Sequence, residues 1–177
     1  MKKIMLFFTV AIVSISCNQK SDNAASTETT TATAVPLPMQ PTYSSSFEMG
    51  NPAYAAMIVQ GSWKDWQDNK LDNIKNWVAD TIVAYQSNNK MIRGADSLMA
   101  NWKRGRAGYS SVIDSINAVI PTFSTDKKEN WVLVWATEYD TKVDGTKDTS
   151  AVMETWRLNK DGKADLLLQF DRHARKE

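Results

Sequence analysis

The sequence predicts an α+β domain in which helices come first and antiparallel strands follow, set behind a leader and a polar spacer. Apolar residues recur at helical spacing between Asn51 and Trp102. After Gly108 the texture turns to β-branched runs, punctuated by the hairpin-turn dipeptides Asp144-Gly145 and Asp161-Gly162. The composition also divides near residue 50: all seven Trp lie between Trp63 and Trp156, and four of the five Pro lie at or before Pro52. Helices followed by strands are the α+β order; an α/β domain would alternate them.

The chain opens Met1-Lys2-Lys3 and runs on through Ile4–Ile15, where ten of twelve residues are apolar. A charged start followed by a short apolar run is the pattern of a secretory signal peptide. The run is too short to span a bilayer, which takes about 20 residues. It ends at Ser14-Ile15-Ser16-Cys17. This resembles a bacterial lipobox, with Ser14 where an aliphatic residue is usual. Cys17 is the only Cys in the chain, so no intrachain disulfide competes for it. The resemblance implies a lipoprotein signal peptide over 1–16 and acylation of the Cys17 thiol, palmitate included. Several acyl chains anchor firmly, since each buried CH₂ contributes about 0.8 kcal/mol. No Asp follows Cys17 directly, so nothing resembles an inner-membrane retention signal. Lys20-Ser21-Asp22 weakly resembles the surface-export signals of some lipoproteins. The expected location is the cell envelope, lipid-anchored at the outer membrane and facing the periplasm or the surface. Residues 21–46 carry eleven Ser or Thr plus Pro36, Pro38 and Pro41. So polar a stretch does not repay the entropy of ordering, and 17–51 reads as a lipidated, disordered tether.

The domain is expected over 52–177. Asn51-Pro52 reads as a helix cap and first helical residue, and Ala55, Val59, Ser62, Trp63 and Trp66 continue at helical spacing. Asn69-Lys70 breaks the run. A short second helix carries Leu71, Ile74, Trp77 and Val78, and Thr81–Tyr85 reads as a strand. Asn88-Asn89 marks a turn, and Gly94 opens a third helix with Leu98, Met99 and Trp102 on one side. Four long strands follow: Tyr109 to Phe123, Trp131 to Tyr139, Ala151 to Leu158 and Ala164 to Asp171.

A net charge of +1 excludes a strongly electrostatic nucleic-acid binder. The basic run Asn101–Arg106 suits a helix C-terminus. With one Cys, one His and scattered acids, no metal site or cofactor is expected. The sole His, His173, lies at the end of the last strand and reads as a solvated surface residue.

Several motifs now carry a resemblance. They are Trp77-Val78-Ala79-Asp80, the Gly94 helix start, and Glu154–Lys163 closing on Gln169-Phe170-Asp171. Their order resembles the nuclear transport factor 2-like superfamily, which includes SnoaL-like polyketide cyclases and ketosteroid isomerases. The likeness spans about residues 54–173. It implies three N-terminal helices packed in a strongly curved antiparallel sheet, with a conical pocket between them. It also implies three chemical positions, which fall near Ser62, near Gln86 and at Glu154. The isomerase pattern asks for a Tyr, a carboxylate base and a protonated acid there, so only Glu154 keeps its chemistry. Gln86 cannot take a proton at neutral pH. If Glu154 points inward, alternation sends Val152 and Trp156 with it, and Leu167, Gln169 and Asp171 share one face.

The candidate catalytic pair is therefore Glu154 with Asp171, unless an ion pair with Arg93, Arg157 or Lys163 occupies the acid. The candidate pocket residues are Ser62, Trp66, Tyr85, Gln86, Trp102, Trp156, Leu167 and Gln169. Trp131 and Trp135 share one strand face and Glu138 the other; which face is concave stays open. Aromatic walls with few polar groups would suit an apolar or aromatic small molecule. A convex aromatic stripe would suit a homodimer. Three readings follow: binding of a small molecule or an envelope protein partner without catalysis, acid/base catalysis, or a structural dimerisation module. The lost base favours the first.

Overall fold

The computed structural model describes residues 37–173. The compact unit described below starts at Met39.

The first helix starts where the cap predicts. The Asn51 side chain accepts a hydrogen bond from the Ala53 N–H at 2.9 Å, and Pro52 takes the first helical position. Helix α1 (Pro52–Ile58) runs into a π-helical stretch, Val59–Lys64, and ends in α2 (Asp65–Gln67). The wider π turn buries Gly61, Ser62 and Trp63 together. Gly61 is required there: a Cβ would fall inside 3.0 Å of the Trp77 indole. Asn69, at a φ of 57°, closes the stretch. A 3₁₀ turn, Leu71–Asn73, and α3 (Ile74–Trp77) follow. Buried Asp65 ties the two helices, accepting from Gln60 Nε2 and from Asn73 Nδ2, each at 3.0 Å. The third helix, α4 (Ala95–Arg106), begins after Gly94, whose φ of 88° suits glycine.

The sheet has seven strands: β1 (Phe47–Met49), β2 (Val78–Tyr85), β3 (Met91–Arg93), β4 (Tyr109–Ser124), β5 (Glu129–Lys142), β6 (Lys147–Leu158) and β7 (Ala164–His173). Their order is β1-β4-β5-β6-β7-β2-β3. The α+β expectation holds, with a large curved sheet that does not close. Register shifts between Ile116 and Ala118 in β4, and between Arg157 and Leu158 in the β6–β7 ladder, mark where the pairing bends.

Two details correct the sequence reading. The sheet is mixed, because β2 pairs parallel to β7. A parallel pair needs a long crossover, and α4 with the intervening strands supplies one. The domain also begins before residue 52, inside the expected tether. Phe47–Met49 pairs with Thr122–Ser124. Ser44 and Ser45 donate to Asp126 at 2.6–3.0 Å, and Tyr43 stands edge-on to Trp131 at 5.4 Å. Ser-rich composition concealed these contacts, because the short polar side chains are satisfied by one distant carboxylate. Cys17 and residues 17–36 of the tether lie outside the described residues.

The core sits between the helices and the inner sheet face. The Trp77 ring centroid lies 5.2 Å from that of Trp156, and Trp102 packs 6.3–6.5 Å from both. Ile58, Ile82, Leu98, Val132, Val134 and Leu167 fill the space around them. Burying each such side chain contributes about 1.5–3 kcal/mol. Together they close the narrow end of the cone and leave the wide end open.

Candidate functional site

Strand register arranges the inner sheet face in rows. At the bottom, Val132 pairs with Trp156 and Trp156 with Leu167. Above them Val134 pairs with Glu154 and Glu154 with Gln169; next come Ile116, Ala136, Val152 and Asp171. The row after that holds Asp114, Glu138, Ser150 and His173, and Asp140 opposite Asp148 completes the rim. Apolar rows make the floor and acidic rows the mouth. A cavity of about 240 Å³ lies over the upper rows. The helices form its other wall, with Ser62, Trp63 and Trp66 from the first helix and Asn101, Trp102 and Gly105 from α4.

Glu154 faces inward at the base of this cavity and is 3% exposed. Its Oε2 accepts from Ser62 Oγ at 2.8 Å and Trp156 Nε1 at 2.9 Å, and its Oε1 accepts from Gln169 Nε2 at 3.1 Å. Burial pushes its pKa up, and the three donors oppose that rise. Among the described residues no cation joins it: Arg157 pairs instead with Asp165 and Glu129.

The candidate pocket residues divide by position. Ser62, Trp66, Gln86, Trp102 and Gln169 line the cavity together with Glu154 and Asp171. Glu154 and Asp171 thus share one chamber, with Asp171 at the rim accepting from Ser87 Oγ at 2.6 Å. Three assignments are corrected. Trp156 is on the inner face but wholly buried below the cavity, where its indole supports Glu154. Leu167, also wholly buried, belongs to the same floor. Tyr85 alternates to the outer face and is 42% exposed, because its neighbours Ala84 and Gln86 take the inward positions.

Sequence reasoning missed the row above. Glu138 Oε2 accepts from Trp66 Nε1 at 2.7 Å, and the carboxyl lies within hydrogen-bonding reach of Asp114 and Asp140. Burial, then the charges of Asp140 and Asp114, push Glu138 up to about 9. Burial likewise lifts Asp114 to about 7 and raises Asp140. Glu138 is thereby held neutral near neutral pH and able to donate a proton or a hydrogen bond, while Asp114 titrates close to it. The available signal was the alternation of Val132, Val134, Ala136, Glu138 and Asp140, a run that ends in acids on one face. His173 is exposed, as expected, yet not remote from the site. It stands at the cavity rim, Nδ1 3.2 Å from Asp148 and Nε2 3.6 Å from Asp171, because register sets it opposite Ser150 on the inner face.

The walls are consequently more polar than the aromatic lining expected from the Trp content. Trp131 faces outward, under Tyr43, with the Arg157 guanidinium 5.9 Å from its ring. Among the described residues no group of three or more His, Cys, Asp or Glu is arranged to hold a metal ion.

No protein-family profile matches the sequence, and no curated protein matches it. Solved structures do match in shape. A putative SnoaL-like polyketide cyclase from Shewanella denitrificans superposes with a TM-score of 0.56 at 11% identity, covering 69% of this chain and 92% of its own. A Δ5-3-ketosteroid isomerase from Mycobacterium sp. gives 0.54 at 16% identity, covering 68% and 98%. A Mycobacterium tuberculosis protein in complex with estradiol-17β-hemisuccinate gives 0.53 at 15% identity, covering 66% and 92%. At such identities the likeness is one of fold.

Proposed function

We propose that this nuclear transport factor 2-like domain is the ligand-binding module of a lipid-anchored cell-envelope protein, and that it holds a small molecule without transforming it. One observation carries the reading: a cavity of about 240 Å³ whose buried acid, Glu154, is already occupied by Ser62, Trp156 and Gln169. A carboxyl locked on both oxygens is a fixed polar floor rather than a poised base. The resemblance puts the isomerase base position near Gln86, whose amide cannot take a proton at neutral pH. The Mycobacterium tuberculosis neighbour in complex with estradiol-17β-hemisuccinate supports a small-molecule ligand for this domain. An open cavity also counts against a purely structural dimerisation module, whose interior would be filled.

Acid/base catalysis is the second reading, and the acidic row favours it. Glu138, on the cavity wall at about 9, with Asp114 behind it at about 7, is a proton-donating pair.

The chain purified from its native envelope in mild detergent should carry a small molecule that native mass spectrometry detects and denaturation releases. Its mass should stay constant during hours of incubation with the protein. Conversion of the released molecule, abolished by Glu138→Gln, would transfer the reading to catalysis. For the anchor, Cys17→Ser should move the protein from the membrane to the soluble fraction and remove acyl labelling. Unchanged membrane retention would end the lipoprotein assignment.

A further inference from the structure

The cavity gathers acidic groups with no Lys or Arg among the described residues to match them. Among the described residues its lining carries four carboxyl groups (Glu138, Asp140, Glu154 and Asp171) and the His173 imidazole. Glu154 is satisfied by neutral donors. The Arg106 guanidinium acts on Asp114 and Asp140 only through space. Its hydrogen bonds go to the backbone carbonyls of Trp66, Gln67 and Tyr109, at 2.8–3.2 Å. Asp140 is the exposed debt of this arrangement. It is 6% exposed and stands on the cavity wall, and apart from the neighbouring Glu138 carboxyl its Oδ1 has no hydrogen-bond partner among the described residues. The one donor in its reach is a proton on the Glu138 carboxyl, so a ligand that brings a donor or a positive charge would relieve the whole acidic row.

The facing wall has the complementary character. Trp63, Trp66, Trp102 and Tyr109 bring four aromatic rings to the lining from the first helix, α4 and the start of β4. Aromatic faces opposite carboxylates attract one chemical class strongly, a cation with apolar substituents.

We propose that the ligand of this cavity is a small organic cation whose charged head faces Asp140 while its carbon substituents lie against the Trp wall: a primary amine, which donates to the carboxyl, or a quaternary one, which is held by charge and the aromatic faces alone. The inference rests on the reading of the cavity as a ligand site and names its chemistry. A metal cation does not fit equally, since the described acids are not arranged as a metal-ligand set. On the lining the head meets Glu138 and Asp140 on β5, Asp171 with His173 on β7, and the Trp66 indole; behind them stand Asp114 on β4, Asp148 on β6 and Arg106 on α4. Binding a cation among them favours ionised carboxyls, so protons should leave as the amine enters.

The test is a Trp-fluorescence titration of the full chain in detergent at low salt. Two matched pairs serve as probes: choline against 3,3-dimethyl-1-butanol, and benzylamine against benzyl alcohol. Each pair shares a shape and differs in charge. At least one cation should bind about tenfold more tightly than its neutral partner. Asp140→Asn should erase that preference while the thermal transition stays cooperative. Asp171→Asn, at the open rim, provides a second variant with no core to disturb, and should lower the preference by about threefold. Equal affinity within both pairs overturns the cation and leaves the ligand site standing. Binding of none of the four also overturns it, and the co-purification experiment then decides the ligand reading by itself. The same fluorescence change with CaCl₂ alone assigns a metal and overturns the amine.

Discussion

Replacing Glu138 by Gln isolates the electrostatic cost of the acidic row. The amide has the same shape, so its oxygen can keep the 2.7 Å bond from Trp66 Nε1. Its NH₂ can donate toward Asp114 or Asp140, which face it from β4 and from two residues along β5. The fold raises the Glu138 pKa from its usual 4.5 to about 9, through burial first and the neighbouring carboxylates second. A folded pKa above the unfolded one means that the native state keeps a proton the unfolded chain has lost. Stability is then full below about pH 4.5 and falls as pH rises toward about 9. Each pH unit in that window costs at most about 1.4 kcal/mol. Between pH 4.5 and 7 the limit is therefore about 3 kcal/mol.

Solvent at the cavity mouth and the coupling to Asp114 reduce that limit, to roughly 1–2 kcal/mol. In a domain of this size, that corresponds to roughly 4–8 °C in Tm. Thermal unfolding followed by circular dichroism at pH 4.5, 6, 7 and 8 reads it. Wild type and Glu138→Gln should melt together at the lowest pH and separate as pH rises, with the variant higher at pH 8. Parallel curves, or a variant that loses ground with rising pH, would refute the claim that this carboxyl is strained by its neighbours.

Other positions respond to distinct forces. Ser62→Ala removes one of three donors to a buried acid and should cost about 1–3 kcal/mol in urea unfolding at pH 7; a change under the measurement error would mean that Glu154 does not depend on the helix. Gly61→Ala drives a methyl into the Trp77 ring, so a loss of about 1–3 kcal/mol and altered Trp fluorescence are expected; full stability would show that the first helix does not approach Trp77 this closely. Asn51→Ala should cost about 1 kcal/mol with an unchanged denaturant slope, and no loss would remove the cap from the account of where the domain's helices begin.

The fold was legible where local chemistry dictates local shape. Asn51-Pro52, Gly94, Asp144-Gly145 and Asp161-Gly162 each constrain φ or satisfy a backbone group within a few residues. They marked the ends of elements accordingly. The parallel β2–β7 pairing was not legible, because nothing within Val78–Tyr85 states the direction of a neighbour 80 residues on. Strand β1 was hidden for a related reason: its ladder to Thr122–Ser124 and its anchoring at Asp126 are made by distant residues.

The same distinction explains the site. Glu154 was found because a motif surrounds it, and alternation along one strand then placed Val152 and Trp156 on its face. Alternation does not say how deep a residue lies. Trp156 and Leu167 therefore read as pocket walls, although register sets them two positions nearer the apex than Glu154 and Gln169. The row of Asp114, Glu138, Ser150 and His173 is assembled from four strands. Each residue alone reads as a solvated surface group. Only the register makes Glu138 and Asp114 direct cross-strand partners, and only Trp66 and Trp102 above them exclude enough water to make that adjacency costly. An alternating strand that changes from Val132, Val134 and Ala136 to Glu138 and Asp140 on its buried face is the one local sign of this. Such a change marks the depth at which a core gives way to a chamber.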